Sequence, residues 1–157
     1  QAAGEGAARG MELAALAHEI EAAGDAISRG MLALARRMSD EQLSFSDRGW
    51  QEIADFHDRV LTNAQRALNV LMTLSPDDAR ALVAEKERVR EVERALQRAH
   101  LERLQQGQPQ SVETSNIHQE TLRSLKQVNT AFSMVAYPIL EGSGELLSSR
   151  LTGRAMG

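Results

Sequence analysis

The stretch MELAALAHEIEAAGDAISRGMLALARRM, residues 11–38, decides the fold. Seven of its large apolar residues recur every three or four positions, so on a helical wheel they fall within an arc of about 60°. They are Leu13, Leu16, Ile20, Ile27, Met31, Leu34 and Met38. A narrow apolar seam of this length predicts one long amphipathic helix that packs against other helices.

Capping and helix-breaking residues separate three further helices from the first. The breaks fall near residues 39–46, 73–76 and 106–112. At the first break either Ser44 or Ser46 can cap the next helix. At the second break Ser75 is a suitable N-cap, and Pro76 suits the first helical position. Short connections between long helices predict an all-α fold, an antiparallel bundle of four long helices with up-down packing of the spectrin-repeat type.

The same periodicity predicts which side chains are buried. On the second helix it gives a seam of Trp50, Ile53, His57, Val60, Leu61, Ala64, Leu68 and Leu71. Ten residues are expected in the core: Leu16, Ile20, Ile27, Ile53, Val60, Leu68, Val89, Leu96, Leu122 and Leu125. His57 is expected to be a hydrogen-bonded core residue, whereas His100, beside a charged face, is expected to be exposed. Pro138 is expected to end or kink the fourth helix, and a short helix is expected near residues 144–151.

Composition excludes several classes of function. Lys and Arg number 18 against 22 Asp and Glu, and a net charge of −4 argues against a general surface for nucleic acid or anionic membrane. Cysteine is absent, so no thiolate can act as a nucleophile or metal ligand. No nucleophile elbow, phosphate-binding loop or membrane-spanning apolar run is present. We therefore expect no enzyme, no nucleic-acid partner and no insertion of this chain into a membrane.

Two acidic residues and a histidine gather on one side of the first helix. His18, Glu21 and Asp25 fall within an arc of about 60°, and like charges four residues apart cost a few tenths of a kcal/mol. Carboxylates on adjacent turns can share a cation, and imidazole is a further ligand for iron or zinc. The alternative is a solvent-facing rim that pairs with arginines of a neighbouring helix. Spacing alone leaves both interpretations open.

A second polar set lies on the fourth helix and consists of His118, Arg123, Lys126 and Asn129. Buried polar side chains in a bundle need partners. One interpretation is therefore a group of hydrogen bonds between helices that fixes their register. The other is a docking face for a transporter or a signalling partner.

Four segments, taken in order, resemble the PhoU-like domain found at the C-terminus of bacterial sodium/phosphate cotransporters. They are LAHEIEAAGDAIS (16–28), LSFSDRGWQEI (43–53), EKERVREVERALQRAHLERL (85–104) and SVETSNIHQETLRSLKQVNTAFSMVAYPILE (111–141). The resemblance implies a PhoU-like bundle over residues 11–150, between flexible segments at 1–10 and 151–157. It also implies that a further helix of the same domain precedes Gln1.

The resemblance extends to a metal-binding motif. Stand-alone PhoU proteins regulate phosphate signalling and bind metal clusters through ExxxD-type motifs, which Glu21 and Asp25 match. On the fourth helix Lys126 and Thr130 replace the acidic residues of the corresponding motif, and a lysine repels a cation.

The third helix keeps only part of that motif. Glu85 matches one carboxylate, but Val89 stands where the second is expected. The resemblance therefore implies at most half a site, made of Glu21, Asp25 and His18. We expect this chain alone to bind a divalent metal or iron weakly or not at all. The full-length protein is expected to bind such a metal more tightly if the preceding helix supplies the partner acidic residues.

The function implied by the resemblance is a regulatory or interaction domain of a sodium-dependent phosphate transporter, without catalysis of its own. Its place would be the cytoplasmic side of the bacterial inner membrane, and its partner the transmembrane part of the same longer chain. One alternative is a free-standing, metal-binding regulator of phosphate signalling. Another is a purely structural bundle that mediates assembly. The sequence leaves self-association into a homo-oligomer open.

Overall fold

A computed structural model of the chain describes residues 2–142. Its helices are α1 (Ala2–Asp40), α2 (Asp47–Thr73), α3 (Pro76–Gln105), α4 (Pro109–Glu113), α5 (Ser115–Ser133) and α6 (Ala136–Gly142). No strand occurs among the described residues, so the prediction of an all-α helical bundle is confirmed. The antiparallel four-helix arrangement stays a prediction. The helix expected near 144–151 and the segment 151–157 lie outside the described residues.

The first two helix breaks lie where the capping residues predict them, whereas the predicted break at 106–112 contains the short helix α4. At the start of α2 the side chain of Ser46 accepts a hydrogen bond of 3.1 Å from the backbone N–H of Gly49. Ser75 caps α3 in the same way, accepting from the N–H of Asp78 at 3.3 Å. Between these helices Leu74 adopts a left-handed conformation with φ of 53°, which ends α2.

The first helix begins at Ala2 and is therefore longer than predicted. Residues 1–10 are expected to be a flexible segment, with the helix beginning at Met11. In the structure AAGEGAARG, residues 2–10, is helical. Four alanines, the residue with the highest helix propensity, offset the three glycines of this stretch.

The core lies between α2, α3 and α5. Its main cluster contains Ile53, Phe56, Val60, Val89, Leu122 and Leu125. A second cluster joins α6 to α3 and to the end of α2, and contains Ala67, Val70, Ala79, Leu82, Val135, Ala136, Ile139 and Leu140. The long helix α1 packs along α5 and has no fully buried residue among its described side chains. Three helices thus form the packed centre, and α1 lies against its side.

The predicted core is correct in part. Buried as predicted are Ile53, Val60, Val89, Leu122 and Leu125, while Leu16, Ile20, Ile27 and Leu96 are half-buried. The prediction for Leu68 is wrong, because 56% of this residue is exposed. Trp50, also predicted to lie in the seam, is 61% exposed. The reason is that α2 carries two apolar stripes, and the core takes the one that contains Phe56.

Helix α5 ends at Ser133, before Pro138 is reached. Pro138 instead stands in the first turn of α6, where a backbone N–H has no partner within the helix. The proline is therefore compatible with α6, and the predicted interruption precedes it.

Candidate functional site

A buried polar cluster lies where α2, α3 and α5 meet, and it consists of Glu52, His100, Arg103 and His118. Arg103 donates two hydrogen bonds to the carboxylate of Glu52, from Nη1 to Oε1 at 2.7 Å and from Nη2 to Oε2 at 2.8 Å. Only 3% of Arg103 is exposed. This bidentate geometry is the strongest form of the arginine–carboxylate pair, and it ties α3 to α2.

The two histidines of the polar cluster stack on each other. Their ring centroids are 4.7 Å apart and their planes differ by 10°. His100 Nε2 lies 2.9 Å from the hydroxyl of Ser115, and the rings of His118 and Phe45 are nearly perpendicular, with centroids 5.8 Å apart. His118 Nε2 is 3.6 Å from Glu52 Oε2, which is longer than a hydrogen bond. Both rings are 1% exposed, so the stack is sealed from solvent.

Burial keeps both histidines neutral at physiological pH. Desolvation lowers the pKa of His118 to about 4, the neighbouring His100 lowers it further, and the carboxylate of Glu52 opposes the change. Desolvation also lowers the pKa of His100, with Arg103 as the second cause. At neutral pH the charges of the polar cluster are therefore those of Glu52 and Arg103, which cancel.

Several buried polar atoms of this region have no hydrogen-bond partner among residues 2–142. They are His100 Nδ1, Arg103 Nε, Ser111 Oγ and both ring nitrogens of His118. Their desolvation offsets part of the stabilisation that the Arg103–Glu52 pair supplies. The polar cluster therefore holds three helices in register at some cost in stability.

Two predictions about histidines are wrong. His100, expected to be exposed, is buried because Ser115 and His118 of α5 supply its neighbours. His57, expected in the core, has 58% of its side chain exposed, and its Nδ1 lies 3.2 Å from Asp58 Oδ1. The buried side of α2 is rotated from the predicted seam, which turns His57 outward.

The polar set predicted on the fourth helix does not form one surface. His118 and Asn129 are each 1% exposed, and Asn129 accepts a hydrogen bond of 2.9 Å from Asn63. Arg123 is exposed and pairs with Glu120 on its own helix. Lys126 reaches across to α3 and donates to Glu93 at 3.0 Å. Asn129 thus follows the interpretation of hydrogen bonding between helices, whereas His118 is buried through ring contacts with His100 and Phe45. The docking face stays a prediction.

The predicted metal ligands His18, Glu21 and Asp25 all lie on the exposed side of α1. Among residues 2–142 the structure has no group of three or more His, Asp or Glu side chains arranged to hold a metal ion. Glu85, matched by resemblance to a further ligand, is buried beside guanidinium groups. Its partners are Arg59, Arg66 and Arg88. Such a carboxylate is already neutralised, so Glu85 is not available to a metal, and the half-site on α1 stays a prediction.

Sequence reasoning missed Glu52 and Arg103, although part of the signal was present. The apolar line of α3 runs through Leu82, Val89 and Leu96 at spacings of seven residues. His100 and Arg103 continue this line at the next steps of four and three, so helical periodicity places both on the buried side. Their burial was not predicted, because the many charged residues around them indicated a solvent-exposed face. The partner, Glu52, could be found only once α2 was seen beside α3.

An apolar groove runs between α1 and α2, with α5 as its floor. At one end it forms a hollow of about 410 Å³ between Met31, Leu34 and Met38 of α1 and Trp50, Ala54 and His57 of α2. Further along, a hollow of about 200 Å³ lies between Leu13, Leu16 and Ala17 on one side and Leu68 and Leu71 on the other. Ile117, Leu125 and Phe132 lie beneath. We call this feature the α1–α2 groove.

The groove wall on α2 leaves large apolar side chains in contact with solvent. Trp50, Leu68 and Leu71 line the two hollows and are 61%, 56% and 37% exposed. Leu61, which is 49% exposed, lies between the two hollows along α2. Their spacing places them on one side of α2, next to the stripe that fills the core. Single exposed apolar residues are ordinary, but a continuous stripe is typical of an interaction surface.

No helix within residues 2–142 is long and apolar enough to cross a lipid bilayer.

The chain is similar to bacterial proteins that carry a phosphate-related name. It is 34% identical over 139 residues to the "Putative inorganic phosphate export protein YjbB" of Salmonella typhimurium. It is 31% identical over 137 residues to the proteins of the same name from two Escherichia coli strains. These alignments take in 88% and 87% of this chain but only 26% and 25% of the relatives. The chain therefore spans about a quarter of the length of the curated relatives it matches.

No protein-family model matches the chain. No solved structure is significantly similar to it either.

Proposed function

We propose that this chain is the PhoU-like regulatory or interaction domain of a larger bacterial phosphate transport protein. One observation carries the proposal: nearly the whole chain aligns with about a quarter of a protein named for phosphate export. A segment that corresponds to one part of such a protein would act on the remainder rather than alone. The packed all-α bundle with an open apolar groove suits contact with that remainder better than chemistry of its own.

The finer features of the proposal come from the resemblance to sodium/phosphate cotransporters. In this proposal the domain is not an enzyme and lies on the cytoplasmic side of the bacterial inner membrane. It contacts the transmembrane part of the same protein and adjusts sodium-dependent phosphate movement. The polar cluster supports this role only by fixing the relative positions of α2, α3 and α5, which keeps the groove wall in place.

Phosphate flux from cells tests the proposal. The full-length native gene would be expressed in a strain without its own phosphate exporters, beside a form that lacks residues 11–142 and a form with Leu68→Glu. The second variant changes only an exposed residue and therefore keeps the core intact. We expect both to alter the rate of phosphate release, or its dependence on internal phosphate, at equal amounts of protein in the membrane. Unchanged release in both would refute the proposal.

The length of the native gene separates this proposal from the free-standing regulator. Several hydrophobic spans encoded with this domain support a transporter, whereas an open reading frame confined to the bundle supports the regulator. Elemental analysis of both the 157-residue chain and the native product, with a Glu21→Gln, Asp25→Asn control, tests the metal half-site separately.

A further inference from the structure

We infer that the α1–α2 groove binds one amphipathic helix from elsewhere in the same longer protein. This helix has an apolar face flanked by basic residues. The inference names the partner of the interaction role proposed above and rests on that proposal for the origin of the helix. The shape, the lining and the charge of the groove carry the rest.

The shape of the groove fits a single helix. Its walls are two helices and its floor is a third, which is the surface that an amphipathic helix covers in a bundle. On α2 the lining extends from Trp50 to Leu71, 21 residues apart. At a rise of 1.5 Å per residue this is about 32 Å, or roughly six helical turns. A flat or convex surface, such as the outer face of another bundle, would not reach the floor.

The α1 wall carries small residues where a helix would approach. Ala17, Gly24 and Ala35 lie on one ridge of α1, and both alanines line the groove. A Cβ atom added at Gly24 would meet nothing within 4 Å. Packing within the described chain therefore gives no reason for this glycine, which costs a helix about 1 kcal/mol relative to alanine. Close approach of another helix to this ridge would explain why a glycine stands there.

The charges beside the groove are acidic. Asp58 lines it, and Glu21 lies on the same ridge of α1 as Ala17, one turn further along. Within residues 2–142, neither Lys nor Arg lines the two hollows. The three arginines of α2 have carboxylate partners elsewhere: Arg48 lies 3.4 Å from Glu52, and Arg59 and Arg66 approach Glu85 of α3. Lys or Arg on the flanks of the incoming helix would therefore meet unneutralised carboxylates.

The origin of the helix follows from the size of the relatives. Because the chain covers 26% of the first relative, about three quarters of that protein lies outside the matched segment. A helix held in the same polypeptide acts at high effective concentration, so it can cover a groove of modest affinity permanently. This accounts for apolar side chains such as Leu68 that are exposed in the chain by itself.

Photo-crosslinking in the full-length native protein tests the inference. A photoreactive phenylalanine analogue would replace Leu61 in the groove wall or, as the matched control, Leu101, which is 52% exposed on α3. We expect position 61 to crosslink to a peptide of the same polypeptide outside residues 1–157, with apolar residues at helical spacing and Lys or Arg beside them. Position 101 should not reach that peptide. A crosslink from position 61 to a second copy, to another protein or to lipid, or no crosslink at all, would overturn the inference.

Charge reversal tests the basic flanks in the same protein. Asp58→Lys should lower the yield of the position-61 crosslink about twofold to fivefold, as expected for the loss of one exposed ion pair. Asp77→Lys, on α3 and away from the groove, should leave the yield unchanged. Equal yields with Asp58→Lys and without it would refute the basic flanks.

The crosslink is measured without reference to phosphate. Its absence with phosphate release still dependent on this domain would refute the helix and leave the proposed function standing. A crosslink together with phosphate release that does not depend on this domain would refute the proposed function and leave the bound helix standing.

Discussion

The two sides of α2 differ in whether their apolar residues are covered. On the side towards α3 and α5, Phe56 and Ala67 are each 1% exposed. On the side towards the α1–α2 groove, Trp50 and Leu68 are more than half exposed. A helix with two apolar stripes requires two partners, and the described chain supplies one of them completely. We call the side that packs on α3 and α5 the closed side and the side that faces the groove the open side. The closed side determines the stability of this chain, while the open side is available for contacts with a partner.

The largest effect is expected at the polar cluster on the closed side. Glu52→Gln removes the charge that neutralises buried Arg103, and an unpaired buried charge costs about 3–5 kcal/mol. The matched control is Glu87→Gln, which removes an exposed pair with Arg90 and should cost less than about 1 kcal/mol. Urea denaturation followed by circular dichroism measures both. Equal costs would mean that the polar cluster is not sealed as described.

Truncation of one leucine on each side compares the two stripes directly. Leu122 is 0% exposed, so Leu122→Ala should lower the free energy of unfolding by about 2–5 kcal/mol. Leu68→Ala should cost less than about 1 kcal/mol in the 157-residue chain, because this side chain already contacts solvent. Urea denaturation followed by circular dichroism measures the loss of unfolding free energy in both variants. A large cost at Leu68 would show that α1 closes over α2 in solution.

The comparison also explains what the sequence could and could not predict. Ser46 and Ser75 act through bonds within three residues, so the helix ends were predictable from local chemistry. The orientation of α2 was not, because Leu68 and Phe56 are equally apolar and periodicity cannot say which stripe meets the core. His100 was misassigned for a related reason, since its neighbours Ser115 and His118 come from another helix.

Acid should destabilise the closed side through His118. Its pKa is about 4 in the folded chain and about 6.5 when unfolded, so between these values the unfolded state binds more protons. Stability contributed by the neutral ring is therefore intact above pH 6.5 and falls as the pH drops towards 4. Between pH 7 and pH 5 we expect a loss of about 2 kcal/mol from this residue.

Denaturation at each pH measures that loss, with His118→Gln and His57→Gln as the pair of variants. Substitution of His118 should make the pH dependence between 7 and 5 smaller, after allowance for its own cost in stability, and buried His100 should supply what remains. Substitution of His57, which is exposed, should leave the dependence as it is. A wild-type profile that is flat over this range would contradict the burial of the His100–His118 stack.

The smallest expected effect compares a glycine from each side. Gly24→Ala should raise the free energy of unfolding of the 157-residue chain by about 0.5–1 kcal/mol, because alanine favours the helix and its Cβ meets no atom within 4 Å. At Gly49 a Cβ would lie 3.1 Å from Ser46 Oγ and 3.5 Å from His118 Cδ2. Gly49→Ala should therefore lose that gain, since it presses on the N-cap of α2 and on the polar cluster. Thermal unfolding of the two variants measures the difference in stability. An equal gain in stability at both positions would show that the residues around Gly49 accommodate a methyl group as easily as those around Gly24. In the full-length protein, a helix seated in the groove should reduce the gain at Gly24, because the added methyl group would then have a neighbour.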